Sequence, residues 1–263
     1  MATKKSSQKV VLVTGASSEL GKKVIEKFNE SNYKVYALSR ENVHFSDKRI
    51  TNKLLDLKSE TNCKKVVHEI YAKEGRIDVL VNLAGSTGSG PTLNYSLNQF
   101  KELMEVNLFA PFYLTQCVYP IMKKNGDGRI INITSLNGLV SLPNFGLYSA
   151  SKHALEALGN ALYFELAKEN IYVTNVAPGA IRKKGGSGVD FSHKPAREKF
   201  PMLAYLLPML TTDMVANKIA EVVGKKNPPT SVVLGPDAQI LTLLKRLLPQ
   251  FLWIKLMRLI WEK

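Results

Sequence analysis

The sequence predicts an α/β fold built on a doubly wound parallel sheet with helices on both faces, followed by an apolar and basic helical extension. Three observations carry that expectation. Short β-branched runs alternate with amphipathic stretches from Lys9 to Leu234, with no linker and no internal repeat. The first run opens directly into a glycine-bearing turn, Gly15-Ala-Ser-Ser-Glu-Leu-Gly21. The stretch Arg129–Lys152 then reads as a buried strand, a loop and the start of a helix, and it brings Ser135, Tyr148 and Lys152 to one strand end.

In chain order, Lys9–Thr14 (KVVLVT) suits a parallel strand covered on both faces. With the turn and the helix that carries Val24, Ile25 and Phe28, it forms the unit that cradles a dinucleotide pyrophosphate on backbone N–H groups and a helix dipole. Lys34–Ser39 (KVYALS) is a second strand, ending in Ser39-Arg40. Such folds that prefer NAD place a carboxylate about 20 residues after the glycine turn to hold the ribose hydroxyls. Here a hydroxyl and an arginine stand instead, and a planar guanidinium matches the 2′-phosphate of NADP; the bland alternative is a surface arginine after a strand. NADP(H) is therefore expected over NAD(H). Lys53–Leu57 (KLLDL) reads as a third strand with Asp56 at its end, followed by a helix with Cys63, Val66, Val67 and Ile70. Ile77–Leu83 (IDVLVNL) is a fourth, running into Ala84-Gly85 and the loose loop Ser86–Pro91. A helix around Gln99–Tyr119 carries Asn107 among apolar neighbours; a buried Asn needs partners, either as a structural clamp or as part of a relay.

Arg129–Thr134 is a β-branched run, apolar apart from Asn132, and Ser135 sits where its strand ends. Ligands of open α/β sheets bind at the carboxyl ends of the strands. Tyr148 and Lys152, four residues apart, share one helix face. A free phenol titrates near pH ~10, and an ammonium about 5 Å away contributes roughly 3 kcal/mol at an effective dielectric of ~20, or two-odd pKa units. Lys152 is thus expected to bring Tyr148 down towards the range of a general acid/base, with Ser135 bonding the substrate oxygen. A YxxxK spacing alone equally describes a tyrosine packed at a helix start beside a solvated lysine.

The helix continues through Leu155, Leu158, Leu162 and Leu166, and Tyr172–Val176 is a further strand stopped by Pro178-Gly179. Ala180–Thr212 mixes glycines and prolines with Phe191, Phe200, Met202 and Leu206, which reads as a substrate lid. A helix at Asp213–Val223 and a strand at Thr230–Leu234 close the expected domain, residues 9–238, after a flexible N-terminus at 1–8. In the extension, residues 239–263, Pro249 divides two helical pieces, and the second leaves only a narrow stripe of Lys255, Arg258 and Glu262. So much apolar surface must dock on the domain, on a partner subunit or on a membrane surface.

Composition bounds the function. The 263 residues allow one substantial α/β domain, and 36 Lys+Arg against 22 Asp+Glu give a formal net charge of +14. That balance suits a phosphorylated ligand or an anionic surface, while the scattered basic residues and the lack of a recognisable module argue against nucleic acid. Cys63 and Cys117 lie far apart without metal spacing, as thiols of a reducing cytosol do, and the polar start MATKKSSQKV lacks the apolar core of a signal peptide. No apolar run is long enough to span a bilayer. A cytoplasmic protein is expected, with contact at the inner face of the membrane through 239–263 as an option.

In this order the motifs resemble the short-chain dehydrogenase/reductase family. Its TGxxxGxG turn is similar to Thr14–Gly21, its adenine-contacting Asp to Asp56, its NNAG to Asn82-Leu83-Ala84-Gly85, its relay asparagine to Asn107, its catalytic serine and YxxxK pair to Ser135, Tyr148 and Lys152, and its PG to Pro178-Gly179. The resemblance implies a Rossmann fold with a seven-stranded sheet, nicotinamide hydride transfer, and a homodimer or homotetramer through the Asn107 and Tyr148 helices. It implies cofactor contacts at Gly15, Ser17, Ser18, Glu19, Leu20, Gly21, Ser39, Arg40, Asp56, Leu57, Asn82, Ala84, Gly85, Tyr148, Lys152, Pro178, Gly179 and Ile181, and catalytic roles for Asn107, Ser135, Tyr148 and Lys152. The pattern Leu234–Ala238 before a Leu- and Arg-rich helix resembles bacterial members related to hydroxysteroid and retinol dehydrogenases, which implies a bulky apolar ketone or alcohol. Three positions depart from the family: Glu19 replaces the middle glycine, Leu83 the second residue of NNAG, and Lys183 a threonine that contacts the nicotinamide amide. The expectation is an NADP(H)-dependent carbonyl reductase. The alternatives are a non-catalytic NADP-binding sensor or scaffold, for which Glu19 and Lys183 speak, and a membrane-peripheral reductase of lipid-like substrates.

Overall fold

The computed structural model of the protein describes residues 8–182 and 207–261. The expected flexible N-terminus up to residue 7, the stretch 183–206 of the expected lid, Lys183 within it, and residues 262–263 lie outside the described residues.

Seven parallel strands form one sheet in the order β3-β2-β1-β4-β5-β6-β7, a Rossmann-type arrangement. They are β1 (Val10–Thr14), β2 (Lys34–Ser39), β3 (Ile50–Leu54), β4 (Val79–Asn82), β5 (Gly128–Ile133), β6 (Ile171–Pro178) and β7 (Ser231–Leu234). The helices are α1 (Glu19–Glu30), α2 (Glu60–Glu74), α3 (Leu97–Met104), α4 (Ala110–Asn125), α5 (Gly146–Leu166), α6 (Thr212–Gly224), α7 (Pro236–Leu247) and α8 (Gln250–Trp261). Side chains alternate across the strands and so build two cores. Val11, Val13, Val81 and Ile131 meet Val24 and Phe28 of α1 and Val215 and Ile219 of α6 on one face. Val10, Leu12, Leu80 and Ile130 meet Val67 of α2, Leu114 and Val118 of α4 and Leu166 of α5 on the other. Four of the helices begin on side chains that accept their free N–H groups: Ser18 for α1, Ser59 for α2, Ser96 in a reciprocal pair with Gln99 for α3, and Thr211 for α6.

Three boundaries differ from expectation by more than two residues. The third strand runs over Ile50–Leu54 rather than Lys53–Leu57. It is an edge strand, so none of its residues is buried and three of the five are polar, while Leu55 turns into the core and Leu57 packs beside it. The helix expected around Gln99–Tyr119 is α3 and α4 joined by a π-turn at Glu105–Phe109, and it continues past Pro120 to Asn125. The extension begins inside the expected domain: α7 starts at Pro236, and Ala238 is fully buried. Pro249 does separate α7 from α8, and the inner sides of both dock, with Leu241, Trp253 and Met257 against Leu136, Val140, Leu142 and Ala238.

Candidate active site

The chain leaves β1 and β4 towards opposite sides of the sheet, and at such a switch point the carboxyl ends of the strands open a crevice. A cleft of about 1000 Å³ lies there, lined by Gly15, Ser17 and Ser18 of the turn, Ser39 and Arg40 after β2, Asp56 and Leu57 after β3, and Ala84 and Gly85 after β4. The turn is built for close approach. Gly15 sits at φ 73°, and a Cβ there would lie 2.9 Å from the backbone of Ala84. A Cβ on Gly21 would collide with the carbonyl oxygen of Gly15. Ser18 Oγ closes the turn, donating to Gly15 O (2.8 Å) and accepting from Gly21 N (3.0 Å). Thr14 Oγ1 accepts from the N–H groups of Leu83 and Ala84, both at 3.0 Å, and fixes the end of β4 to the end of β1.

The side chains around this cleft suit a nicotinamide dinucleotide. Arg40 is exposed at the rim and has no hydrogen-bond or ion-pair partner among the described residues. Ser39 Oγ donates to Glu41 O (2.5 Å), which holds the strand end in place. Asp56 accepts from Lys58 N (3.0 Å) and its own N–H donates to Asn62 Oδ1 (2.9 Å), so its carboxylate is held at the end of β3. Glu19, the carboxylate in place of a glycine, leaves the cleft: it accepts from Thr212 Oγ1 (3.3 Å) at the start of α6. Leu20 and Leu83 pack against the core on the α1 face. Pro178 ends β6, Gly179 N donates to Leu234 O (2.8 Å), and Ile181 bridges Leu210; these three stand outside the cleft lining.

Ser135, Tyr148 and Lys152 converge where β5 ends. Ser135 follows the strand in extended backbone, and its Oγ accepts from Asn137 N (3.2 Å). The Ser135 hydroxyl lies on the Tyr148 side of this strand end and lowers the pKa of its phenol. Lys152, 3% exposed, donates to Ile133 O (2.8 Å), and its Nζ lies 5.8 Å from the centre of the Tyr148 ring. One expectation is corrected here. Burial pushes the Tyr148 phenol above its ordinary value, the neighbouring Ser135 hydroxyl opposes that, and Lys152 makes no resolved contribution. The ammonium is turned to a backbone carbonyl and lies over the ring face, and the desolvation of the phenol outweighs it. Burial also moves Lys152 down to about 8, against the opposing charge of Glu156. In this state the phenol is protonated and the lysine still cationic at neutral pH.

Asn107 is fully buried in the π-turn and acts as a clamp. Its Oδ1 accepts from Ser86 N (2.8 Å), and its Nδ2 donates to Ser86 O (2.9 Å) and Ser151 Oγ (3.0 Å). The loop after β4 is thereby tied to α5. Gly85 stands between Asn107 and Lys152: a Cβ there would be 3.4 Å from Asn107 Oδ1 and 3.5 Å from Lys152 Nζ.

Two features escape a reading of the sequence by elements. Asn82, Asn132 and Asn175 occupy one register row of β4, β5 and β6. Asn82 Nδ2 donates to Asn132 Oδ1 (2.9 Å), Asn132 Nδ2 to Asn175 Oδ1 (3.2 Å), and Asn175 Nδ2 to Glu156 Oε2 (2.9 Å). Thr134 Oγ1 donates to the other Glu156 oxygen (2.5 Å), so a buried carboxyl one turn below Lys152 is held by neutral donors. Burial pushes the Glu156 carboxyl up, and these two bonds hold it back. The signal was an Asn near the end of each of three successive apolar strands. The second feature is Asp237, which accepts from Ala180 N (2.7 Å) and fills the space where Gly179 could have no side chain.

Comparison with known proteins agrees with this fold. The profile of the family described as short chain dehydrogenase matches residues 9–187. A 3-ketodihydrosphingosine reductase of Bacteroides thetaiotaomicron is 29% identical over 246 residues, covering 88% of this chain and 90% of that protein. An acetoacetyl-CoA reductase of Acinetobacter is 36% identical over 187 residues, covering 66% and 75%. A short-chain dehydrogenase from Streptomyces avermitilis superposes with a TM-score of 0.81 at 29% identity, covering 97% of each chain. The structure of ElxO with NADP bound superposes with a TM-score of 0.76 at 27% identity, covering 86% and 96%.

Proposed function

Because this chain belongs to the short-chain dehydrogenase family, we propose that it is an NADP(H)-dependent reductase of bulky apolar ketones, reversible as a secondary-alcohol dehydrogenase. It is an oxidoreductase of CH–OH and C=O groups that uses a nicotinamide cofactor. The finer reading rests on one observation: Gly85, which lines the cleft whose rim carries the unpaired Arg40, also abuts Lys152, the member of the Ser135, Tyr148 and Lys152 group nearest the cleft. The cofactor supplies or accepts a hydride at the substrate carbon. Gly15, Ser17 and Ser18 approach its pyrophosphate, Arg40 its 2′-phosphate, Asp56 and Leu57 its adenine, and Ala84 and Gly85 a ribose. Ser135 Oγ orients the carbonyl oxygen, and Tyr148, protonated at neutral pH, gives its proton to that oxygen. Lys152, cationic at neutral pH and set beside Gly85, would hold the hydroxyls of the nicotinamide ribose, and Asn107 fixes the loop after β4 that forms this wall.

The apolar substrate class is supported by the reductase of 3-ketodihydrosphingosine among the relatives, which matches along most of this chain. Homodimer or homotetramer formation is supported by Phe112 on α4 and Phe164 on α5, large apolar side chains left exposed on those helices. A cytoplasmic place is supported by Cys63 and Cys117, both free thiols. The sensor reading loses its first support, since the Glu19 carboxylate is engaged by Thr212 away from the cleft. NADPH consumption with long-chain 3-oxo compounds tests the proposal. Tyr148→Phe should lower kcat by ~10²–10⁴-fold with NADPH affinity retained. Equal rates in Tyr148→Phe, or no turnover of any apolar ketone by protein that binds NADPH, would overturn it.

A further inference from the structure

The outer sides of α7 and α8 carry a surface that the chemistry above does not use. On α7, Ile240, Leu243 and Leu247 form one exposed stripe at helical spacing, with Leu247 67% exposed. On α8, Phe251, Leu252, Ile254 and Leu259 are exposed, Phe251 to 69%. Single exposed apolar side chains are ordinary in any protein, but seven confined to two consecutive helices are not. Basic residues are set among them: the stretch 239–261 holds Lys245, Arg246, Lys255 and Arg258 and no Asp or Glu. Lys245 reaches back to Leu139 O (2.5 Å), whereas Arg246 and Lys255 lie exposed.

We propose that this face docks on the surface of an anionic lipid bilayer, with the exposed Leu, Ile and Phe side chains at the acyl boundary and Arg246 and Lys255 among the head groups. Charge selects this occupant. A second copy of the same face would set Arg246 and Lys255 against their own copies in a protein whose net charge is already +14, whereas anionic lipids neutralise them. Length selects the mode. The 12 residues of α8 extend ~18 Å, short of a hydrocarbon core of ~30 Å, and no described helix is long and apolar enough to cross a membrane. With Trp253 and Met257 anchored on Leu136, Val140 and Leu142, α8 lies flat between the protein and the bilayer. Leu136 directly follows Ser135, so the docked helix braces the strand end that carries the proton-transfer site.

Sedimentation of the full chain with vesicles tests this. The protein should pellet with mixed phosphatidylglycerol and phosphatidylcholine vesicles at low salt, stay in solution with phosphatidylcholine alone, and be released as salt rises. Replacing Arg246 and Lys255 together by Ala should lower the partition coefficient about thirtyfold, at ~1 kcal/mol per basic residue. Leu247→Glu with Phe251→Glu should abolish binding while subunit mass, melting temperature and NADPH binding stay those of the parent. If the two glutamates unfold the chain, the Arg246 and Lys255 pair and the salt titration decide. No binding to anionic vesicles at low salt, binding that survives the glutamates, or a changed subunit count in those variants would overturn the proposal; the last would make this face an interface between copies.

Discussion

Lys152 is held charged in a place that resists charge, and removing it should stabilise the protein while stopping its chemistry. The side chain is 3% exposed and its pKa moves from 10.5 down to about 8, chiefly by burial. A shift of roughly 2.5 units corresponds to ~3 kcal/mol between the two protonation states. Below pH 8 both folded and unfolded chains carry the proton, so the native state bears that full penalty. Between about 8 and 10.5 the unfolded chain binds the extra proton and stability rises with pH; above 10.5 the penalty is gone. Lys152→Met keeps the packing volume and removes the charge. Loss of the 2.8 Å bond to Ile133 O offsets part of the gain, about 1 kcal/mol. The net is a stabilisation of ~1–2 kcal/mol at pH 7, or about 2–6 °C in melting temperature for a chain of this size. Thermal and urea unfolding of the cofactor-free protein at neutral pH and near pH ~10 would measure it, the difference shrinking at the higher pH. A variant less stable than the parent at neutral pH, or a difference that ignores pH, would refute the reasoning.

Glu156 is the charge that opposes the deprotonation of Lys152, and Gln in its place keeps acceptor and donor for Asn175 and Thr134. Glu156→Gln should therefore shift the alkaline limb of the kcat profile to lower pH, below about 8, with melting temperature little changed; an unmoved limb would remove Glu156 from the site's electrostatics. Gly21→Ala replaces a helical glycine, a change that by propensity alone stabilises by ~1 kcal/mol. Here the new Cβ meets the backbone oxygen of Gly15, so the variant should melt lower and bind NADPH at least tenfold more weakly; equal or higher stability would show that the turn can yield.

The parts of the site legible in the sequence were those set by local pattern. β-branched runs gave the strands, Gly15 and Gly21 the turn, and the four-residue step the common face of Tyr148 and Lys152. The edge strand was misplaced because Leu55 and Leu57 make a more apolar run than the pairing residues Ile50–Leu54, yet they serve the core rather than the ladder. The row Asn82–Asn132–Asn175 depends on register between strands almost a hundred residues apart in total, and the burial of Glu156 has no signal in periodicity, which does not say which neighbour covers a helix face. The direction of Tyr148 was missed for the same reason: charge attraction can be read from spacing, whereas desolvation is a property of the assembled fold.

The central claim is a cleft shaped for NADP(H), and titration of the purified protein and of Arg40→Ala with NADPH and with NADH tests it most directly. A charge-assisted contact between Arg40 and the 2′-phosphate contributes ~1.5–3 kcal/mol, so NADPH should bind about 10–100-fold tighter than NADH. In Arg40→Ala that advantage should vanish while NADH binding stays as it was. Equal affinity for the two nucleotides in the parent, or a preference for NADPH untouched by the substitution, would contradict the assignment of Arg40, and failure to bind either would contradict the cofactor site itself.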